Sequence, residues 1–150
     1  MAEYGSPLDL DKLLATLDAE GINPNSYALS DRNGGECYVL ATRPGGWKVY
    51  YSDRGAERTR MDYATEDEAC RDLLARLQTQ SDTHFHLVVG PLPPNVADET
   101  FVRWKRDHHM EDALGSDDVK IDNPVLDIGR VRRYWVRGSK LPPELRQRRV

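Results

Sequence analysis

The stretch from Cys37 to Leu77 constrains this chain more than any other. Three extended runs follow one another across short turns: Cys37-Tyr38-Val39-Leu40-Ala41-Thr42, then Trp47-Lys48-Val49-Tyr50-Tyr51-Ser52 after Pro-Gly-Gly, then a run ending at Tyr63 after Asp53-Arg54-Gly55. A helix closes the series. Thr65-Glu66-Asp67-Glu68 has the spacing of a capping box, in which the Thr65 hydroxyl accepts from the Glu68 amide while the Glu68 carboxylate reaches back, and Ala69, Cys70, Leu73, Leu74 and Leu77 mark the inward stripe. Strands joined by tight turns and followed by an amphipathic helix bury an apolar face without help from distant sequence. In the second run Trp47, Val49 and Tyr51 alternate with Lys48, Tyr50 and Ser52, as in a half-buried antiparallel strand. The run from Ala56 to Tyr63, rich in Arg and Glu, reads as the more exposed strand.

Before the meander, Ser6 and Pro7 read as the start of a helix whose buried stripe is Leu10, Leu13, Leu14 and Leu17, with Gly21 just past its end. Tyr27-Ala28-Leu29 begins a short strand, and Asp31 to Gly35 is turn-rich. After the meander, a strand from His84 to Val89 is closed by Gly90-Pro91-Leu92-Pro93-Pro94, and Asn95 caps a helix running to about His109, with Phe101, Val102 and Trp104 as its large apolar groups. Glu111 to Asn123 reads as an acidic loop, Val125 to Ile128 as a short strand, and Val131 to Arg137 as a longer one. The order α-β-β-β-β-α-β-α-β predicts an α+β fold, an antiparallel or mixed β-sheet meander with flanking helices. It is read as a single domain over 1–138, with a core over 8–80, a β-α-β extension over 83–137, and a basic, partly mobile tail over 139–150.

Length fits one domain: 150 residues suffice for a core that folds without disulfides. With 39% hydrophobic and 31% charged residues and no apolar run near the ~20 a spanning helix needs, the expectation is no membrane. The N-terminal residues Met1 to Pro7 lack the basic and apolar regions of a signal peptide, so the expected location is cytoplasmic. Cys37 and Cys70 form no ligand-spaced set and read as small buried hydrophobes. The net charge of −4 conceals an asymmetry. From Arg130 onward eight basic residues face Glu144 alone, a net of +7, which leaves 13 basic and 24 acidic residues, or −11, in residues 1–129. Such an acidic body favours encounter with a basic partner.

Several groups invite chemical readings. His84 and His86, two apart on one strand, would share a face and hold a metal ion, but a third ligand has no obvious source. Asp107-His108-His109 with Glu111 and Asp112 is the densest polar cluster, at a helix end where histidines complement the dipole. Cys37, Cys70, Ser26, Ser30 and Ser52 lack an activating motif, and the Gly34-Gly35 and Gly45-Gly46 pairs precede no helix, which suits turns better than phosphate loops. The C-terminal arginines with Tyr134 and Trp135 have the composition of a nucleic-acid contact, against an acidic body and no recognised module. The expectation is a protein that is not an enzyme, with no catalytic residue, metal or cofactor.

Three strings together are distinctive: Leu17-Asp18-Ala19-Glu20-Gly21-Ile22-Asn23-Pro24-Asn25-Ser26-Tyr27, Gly46-Trp47-Lys48-Val49-Tyr50-Tyr51-Ser52-Asp53-Arg54-Gly55, and Thr65-Glu66-Asp67-Glu68-Ala69-Cys70-Arg71-Asp72-Leu73-Leu74. Over about residues 8–80, and more loosely at Val88 to Pro93 and Arg132 to Arg137, the chain resembles small actinobacterial proteins encoded beside secreted polymorphic toxins and taken to be their immunity proteins. The resemblance implies an antitoxin that binds a cognate toxin protein with a basic active-site face and occludes that site, without chemistry of its own. The expected contact residues are Asp53, Asp107, Glu111, Asp112, Asp117 and Asp118, with Tyr50 and Tyr63 as aromatic anchors. The alternatives are a small ligand- or nucleic-acid-binding module using the basic C-terminal region, and a His-based metal-dependent hydrolase.

Overall fold

Local signals fix the first half of the fold. In a computed structural model of the chain, which describes residues 7–30 and 35–149, helix α1 spans Leu10–Ala19. It begins later than the sequence predicts because the Asp9 carboxylate accepts the Lys12 N–H (2.8 Å) and so caps the first turn; Ser6 lies outside the described residues. At its other end Gly21 adopts φ +74°, donating its N–H to Asp18 O, while the Ile22 N–H reaches Leu17 O, so the last carbonyls are satisfied as the sequence anticipates. Strands β1 (Tyr27–Ala28), β2 (Cys37–Arg43), β3 (Gly46–Asp53) and β4 (Ala56–Tyr63) then form one sheet in that order, β1 parallel to β2 and the rest antiparallel. The predicted turn at Asp31–Gly34 lies outside the described residues.

Helix α2 (Glu66–Thr79) lies across β2 and β3, and α1 packs on α2. Leu13, Leu17, Leu40, Val49, Leu73 and Leu77 meet in a core that excludes water, whereas Leu14 turns outward from the predicted stripe. The α2 cap differs in one bond: Thr65 Oγ1 accepts the Glu68 N–H (3.2 Å), but the Glu68 carboxylate takes the Thr65 hydroxyl (2.9 Å) rather than the backbone N–H. Strand β4 is exposed along nearly its whole length, as its charge predicts.

The second half builds a separate sheet. Strand β5 (Phe85–Leu92) continues through Gly90-Pro91 instead of stopping at Val89, at the cost of two breaks in register. Helix α3 (Pro94–Asp107) starts on a proline whose missing N–H would be unsatisfied there in any case, so Asn95 sits inside the first turn rather than capping it. The acidic segment contains a strand that its charge disguises, β6 (Val119–Asp122). A two-stranded hairpin follows, β7 (Val125–Leu126) with β8 (Gly129–Arg130), and then β9 (Arg132–Arg137). The sheet order is β5-β9-β6, all antiparallel, so the last strand in sequence is the central one. Tyr134 and Val136 point to α3 from β9, and Phe101 stacks on Tyr134 with ring centres 4.2 Å apart. The chain is thus an α+β fold, with three α-helices and two main sheets among the described residues, each sheet with its own core.

The two sheets are joined by the segment predicted to be a mobile basic tail. Beyond β9 the chain passes Gly138 and buries Leu141 in the second core. Fully buried His86 on β5 bridges the halves: its Nε2 lies 2.8 Å from Gly21 O, and its Nδ1 accepts the Gln147 backbone N–H at 2.8 Å. A carbonyl only accepts and an amide only donates, so the ring is neutral with its proton on Nε2. The Gln147 side-chain oxygen accepts from Leu87 N (2.6 Å) and Asn23 Nδ2 (2.7 Å), and Asn23 Nδ2 also donates to Phe85 O (3.1 Å). Arg146 donates to Gly138 O, Leu141 O and Asp18 O.

The joint requires backbone contact between Gly21 and Gly138. A Cβ at Gly138 would collide with Gly21 O and sit 2.7 Å from His86 Nε2. Gly138→Ala is therefore expected to destabilise the protein by about 1–3 kcal/mol or more through overpacking. Gly45→Ala, which meets no neighbour but keeps a left-handed backbone, should cost only about 1–2 kcal/mol. Urea denaturation of both variants is the measurement.

Burial holds the His86 imidazole below its ordinary 6.5, the Gly21 hydrogen bond opposes that shift, and Arg146 adds to it. Because the native state resists a proton that the unfolded chain accepts, stability is complete above about pH 6.5 and declines as pH falls from there toward the depressed native value. Denaturation midpoints between pH 7.5 and pH 5, on a scale of about two units around the histidine value, should show this decline. His86→Gln should be less stable at every pH and lose most of the slope.

Candidate partner-binding surface

Residues 107–130 run from the end of α3 through β6 to the β7–β8 hairpin. Asp107 ends α3, and Glu111 and Asp112 lie in the turn beyond it; all three are exposed and make no ion pair among the described residues. Asp117 is exposed too, with only its backbone carbonyl engaged, by Arg137 (2.8 Å). The chain then enters β6, which has β9 on one side and no strand on the other among the described residues. Ile121 on this edge is 50% exposed. Past Pro124 the β7–β8 hairpin turns through Asp127-Ile128, with Val125 68% and Ile128 82% exposed and Leu126 also outside the core. Its base is fixed: Arg132 Nε donates to Asn123 Oδ1 (2.7 Å), Val131 N to Pro124 O (3.0 Å), and Arg132 Nη1 to both Asp98 oxygens (2.8 Å). Aliphatic side chains held outward on a braced hairpin are what a partner surface, rather than a folding core, requires.

The predicted contact residues separate into two groups. Asp107, Glu111, Asp112 and Asp117 fall on this surface, but Asp53 and Asp118 are bound internally. Asp53 accepts from Arg58 Nε (2.8 Å) on the other sheet. Asp118 is held below the usual carboxylate range by the Gly115 N–H (2.9 Å), with Arg137 and Lys140 adding to it. The two tyrosines are not free anchors. Tyr50 is 3% exposed and packs with Val39 and Ala41 on the sheet face away from α2, and the Tyr63 hydroxyl donates to Asp72 (2.8 Å) beside that helix.

The C-terminal arginines are largely committed within the fold. Asp98, already bonded by the Tyr134 hydroxyl (2.6 Å), takes Arg132; Asp122 takes Arg133 (2.9 Å) and the Trp135 indole N–H (3.2 Å). Both carboxylates are held below their ordinary range, Asp98 chiefly by Tyr134 and Asp122 chiefly by Arg133. Arg130, Arg148 and Arg149 are exposed and pair with no carboxylate among the described residues, so part of the basic patch remains at the surface.

The histidines do not gather. His84 ends a 3-10 turn before β5, its Nε2 3.2 Å from Gln78 O, while His86 is enclosed in the joint. His108 lies against Trp104, ring centres 5.3 Å apart, and His109 is exposed. Among the described residues no three His, Cys, Asp or Glu side chains come together as a metal-binding group. Burial pushes the Cys70 thiol up to about 11 and raises Cys37 as well, so both are thiols, not thiolate nucleophiles, near neutrality.

A second feature lies at the junction of the halves. A cleft of about 340 Å³ opens between the loop after α1, the start of β2 and the turn before β5, lined among others by Asn23, Glu36, Tyr38, Tyr51, Gln80 and Asp82. Tyr38 and Tyr51 face each other across β2 and β3, in edge contact with ring centres 4.9 Å apart. The sequence identifies both as strand residues, but only the register brings them to one mouth. Among the described residues no helix is long and apolar enough to cross a membrane. Comparisons with family models, curated proteins and solved structures find nothing that matches this chain.

Proposed function

We propose that this protein is a non-catalytic inhibitor, an immunity protein that binds a cognate toxin domain and covers its active site. The observation that carries the reading is the β7–β8 hairpin, where Val125 and Ile128 are held in solvent on a braced base. Such exposure costs solubility and contributes nothing to the core, which accords with a surface completed by another protein. Asp107, Glu111, Asp112 and Asp117 supply charge for drawing in a basic partner from a distance. The resemblance of residues 8–80 to immunity proteins encoded beside secreted toxins supplies the class of partner. A cytoplasmic site of action follows from that class.

The direct test is co-purification with the toxin domain encoded beside it, followed by inhibition assays. Ile128→Asp with Val125→Asp should raise Kd by about 10- to 100-fold through k_off, as loss of a central apolar anchor does, and leave the thermal midpoint nearly unchanged. Asp107→Asn, Glu111→Gln and Asp112→Asn combined should slow association and flatten its salt dependence. Inhibition unaltered in both variants would remove this surface from the mechanism.

A further inference from the structure

The junction cleft has a chemical bias of its own. Its lining contains two carboxylates, two tyrosines, amides, hydroxyls and a thiol, and no Lys, Arg or His among the described residues. The carboxylates are not equivalent. Asp82 already holds the Lys120 ammonium, whereas Glu36 is exposed and makes no hydrogen bond or ion pair among the described residues. Arg149, the cation near Cys37, is engaged over the Tyr27 ring (5.0 Å) and borders a different hollow beside Leu14 and Ala28.

The two rings set the shape. In edge-to-face contact at 65° to each other, Tyr38 and Tyr51 bring two aromatic rings to the mouth, the kind of group on which a flat cation stacks. Burial raises the Tyr51 phenol, and the nearby negative charges of Glu36 and Asp53 raise it further. Beyond Tyr38 and Gln80 lies a second hollow of about 410 Å³, bordered by Thr59, Ala75, Thr79 and Arg76, whose guanidinium is paired with Asp72. There is room for the chain that would carry the cation.

We infer that this cleft takes the guanidinium of an arginine presented by a binding partner, stacked on the Tyr38–Tyr51 pair with its charge met by Glu36. The assignment rests on the reading of the protein as a binder of a basic protein, and it names one anchor of that partner. A neutral side chain would forgo the charge-assisted contact with Glu36, which is how the cleft would discriminate.

The test uses N-acetyl-arginine-N-methylamide as probe and the isosteric citrulline derivative as its neutral control. Tyrosine ring resonances are followed by NMR in the full chain and in Glu36→Gln, whose exposed position leaves folding intact. The expected result is saturable binding of order millimolar for the arginine probe, confined to Tyr38 and Tyr51. Binding should be about tenfold weaker in Glu36→Gln, the usual worth of one charge-assisted contact, and undetectable with the citrulline compound. Shifts that do not saturate, equal binding of both probes, or no loss in Glu36→Gln would overturn the site. The toxin assay separates the two levels: arginine binding without toxin inhibition retains the cleft and discards the immunity role, and full inhibition by Glu36→Gln with no arginine binding does the reverse.

Discussion

The neutral imidazole of His86 holds the architecture together. Each half has a core too small to dominate the other, and few apolar side chains cross between them; what crosses is a set of hydrogen bonds, with His86 at the centre. Sealed from water, a donor and an acceptor on one rigid ring must each find a partner, and Gly21 O and the Gln147 N–H are those partners. Because both are backbone groups, the ring reads chain position rather than side-chain identity. It ties the end of α1 to a segment more than a hundred residues later in sequence. The two glycines in contact, Gly21 and Gly138, let the backbones come close enough for one imidazole to span the gap.

Docking of the C-terminal segment also decides the electrostatics. The +7 beyond residue 129 looks like a wholly free basic patch only while its partners are unknown. In the fold Arg132, Arg133 and Arg137 pair with Asp98, Asp122 and Asp118, and Arg146 is spent on carbonyls at the joint. Each pair cancels one charge of either sign and leaves the net charge unchanged, while Asp107, Glu111, Asp112 and Asp117 remain outside as unpaired carboxylates among the described residues.

The legible parts of the fold were those governed by neighbours in sequence. The meander, its alternation, the Thr65 cap on α2 and the glycine stop after α1 follow from turn and cap chemistry within a few residues, and they are where expected. What escaped depends on distant partners. Val119–Asp122 reads as part of an acidic loop because its strand character comes from β9, which pairs Lys120 with Trp135 and Asp122 with Arg133. The tail reads as mobile because its polar residues are satisfied by groups far away, and nothing local announces that a buried histidine waits for Gln147. Tyr50, set by alternation opposite Val49, was placed on the correct face, yet burial of that face is a tertiary fact. The exposed hairpin differs again: Val125, Leu126 and Ile128 look like core residues in sequence, and only their failure to find a core reveals them.

A free edge beside exposed aliphatic side chains is a hazard that calls for protection. Strand β6 offers unpaired backbone groups next to Ile121 and the hairpin, a template on which a second copy of the chain would otherwise pair. The strand is short, carries Lys120 and Asp122, and is preceded by a loop in which Glu111, Asp112 and Asp117 face solvent. A short edge strand that carries charged side chains resists edge-to-edge pairing with a second copy. The loop carboxylates attract a chain of opposite sign. In the proposed role, one arrangement of residues would both discourage self-association and favour a basic partner, so the apolar finger can remain exposed without a core of its own.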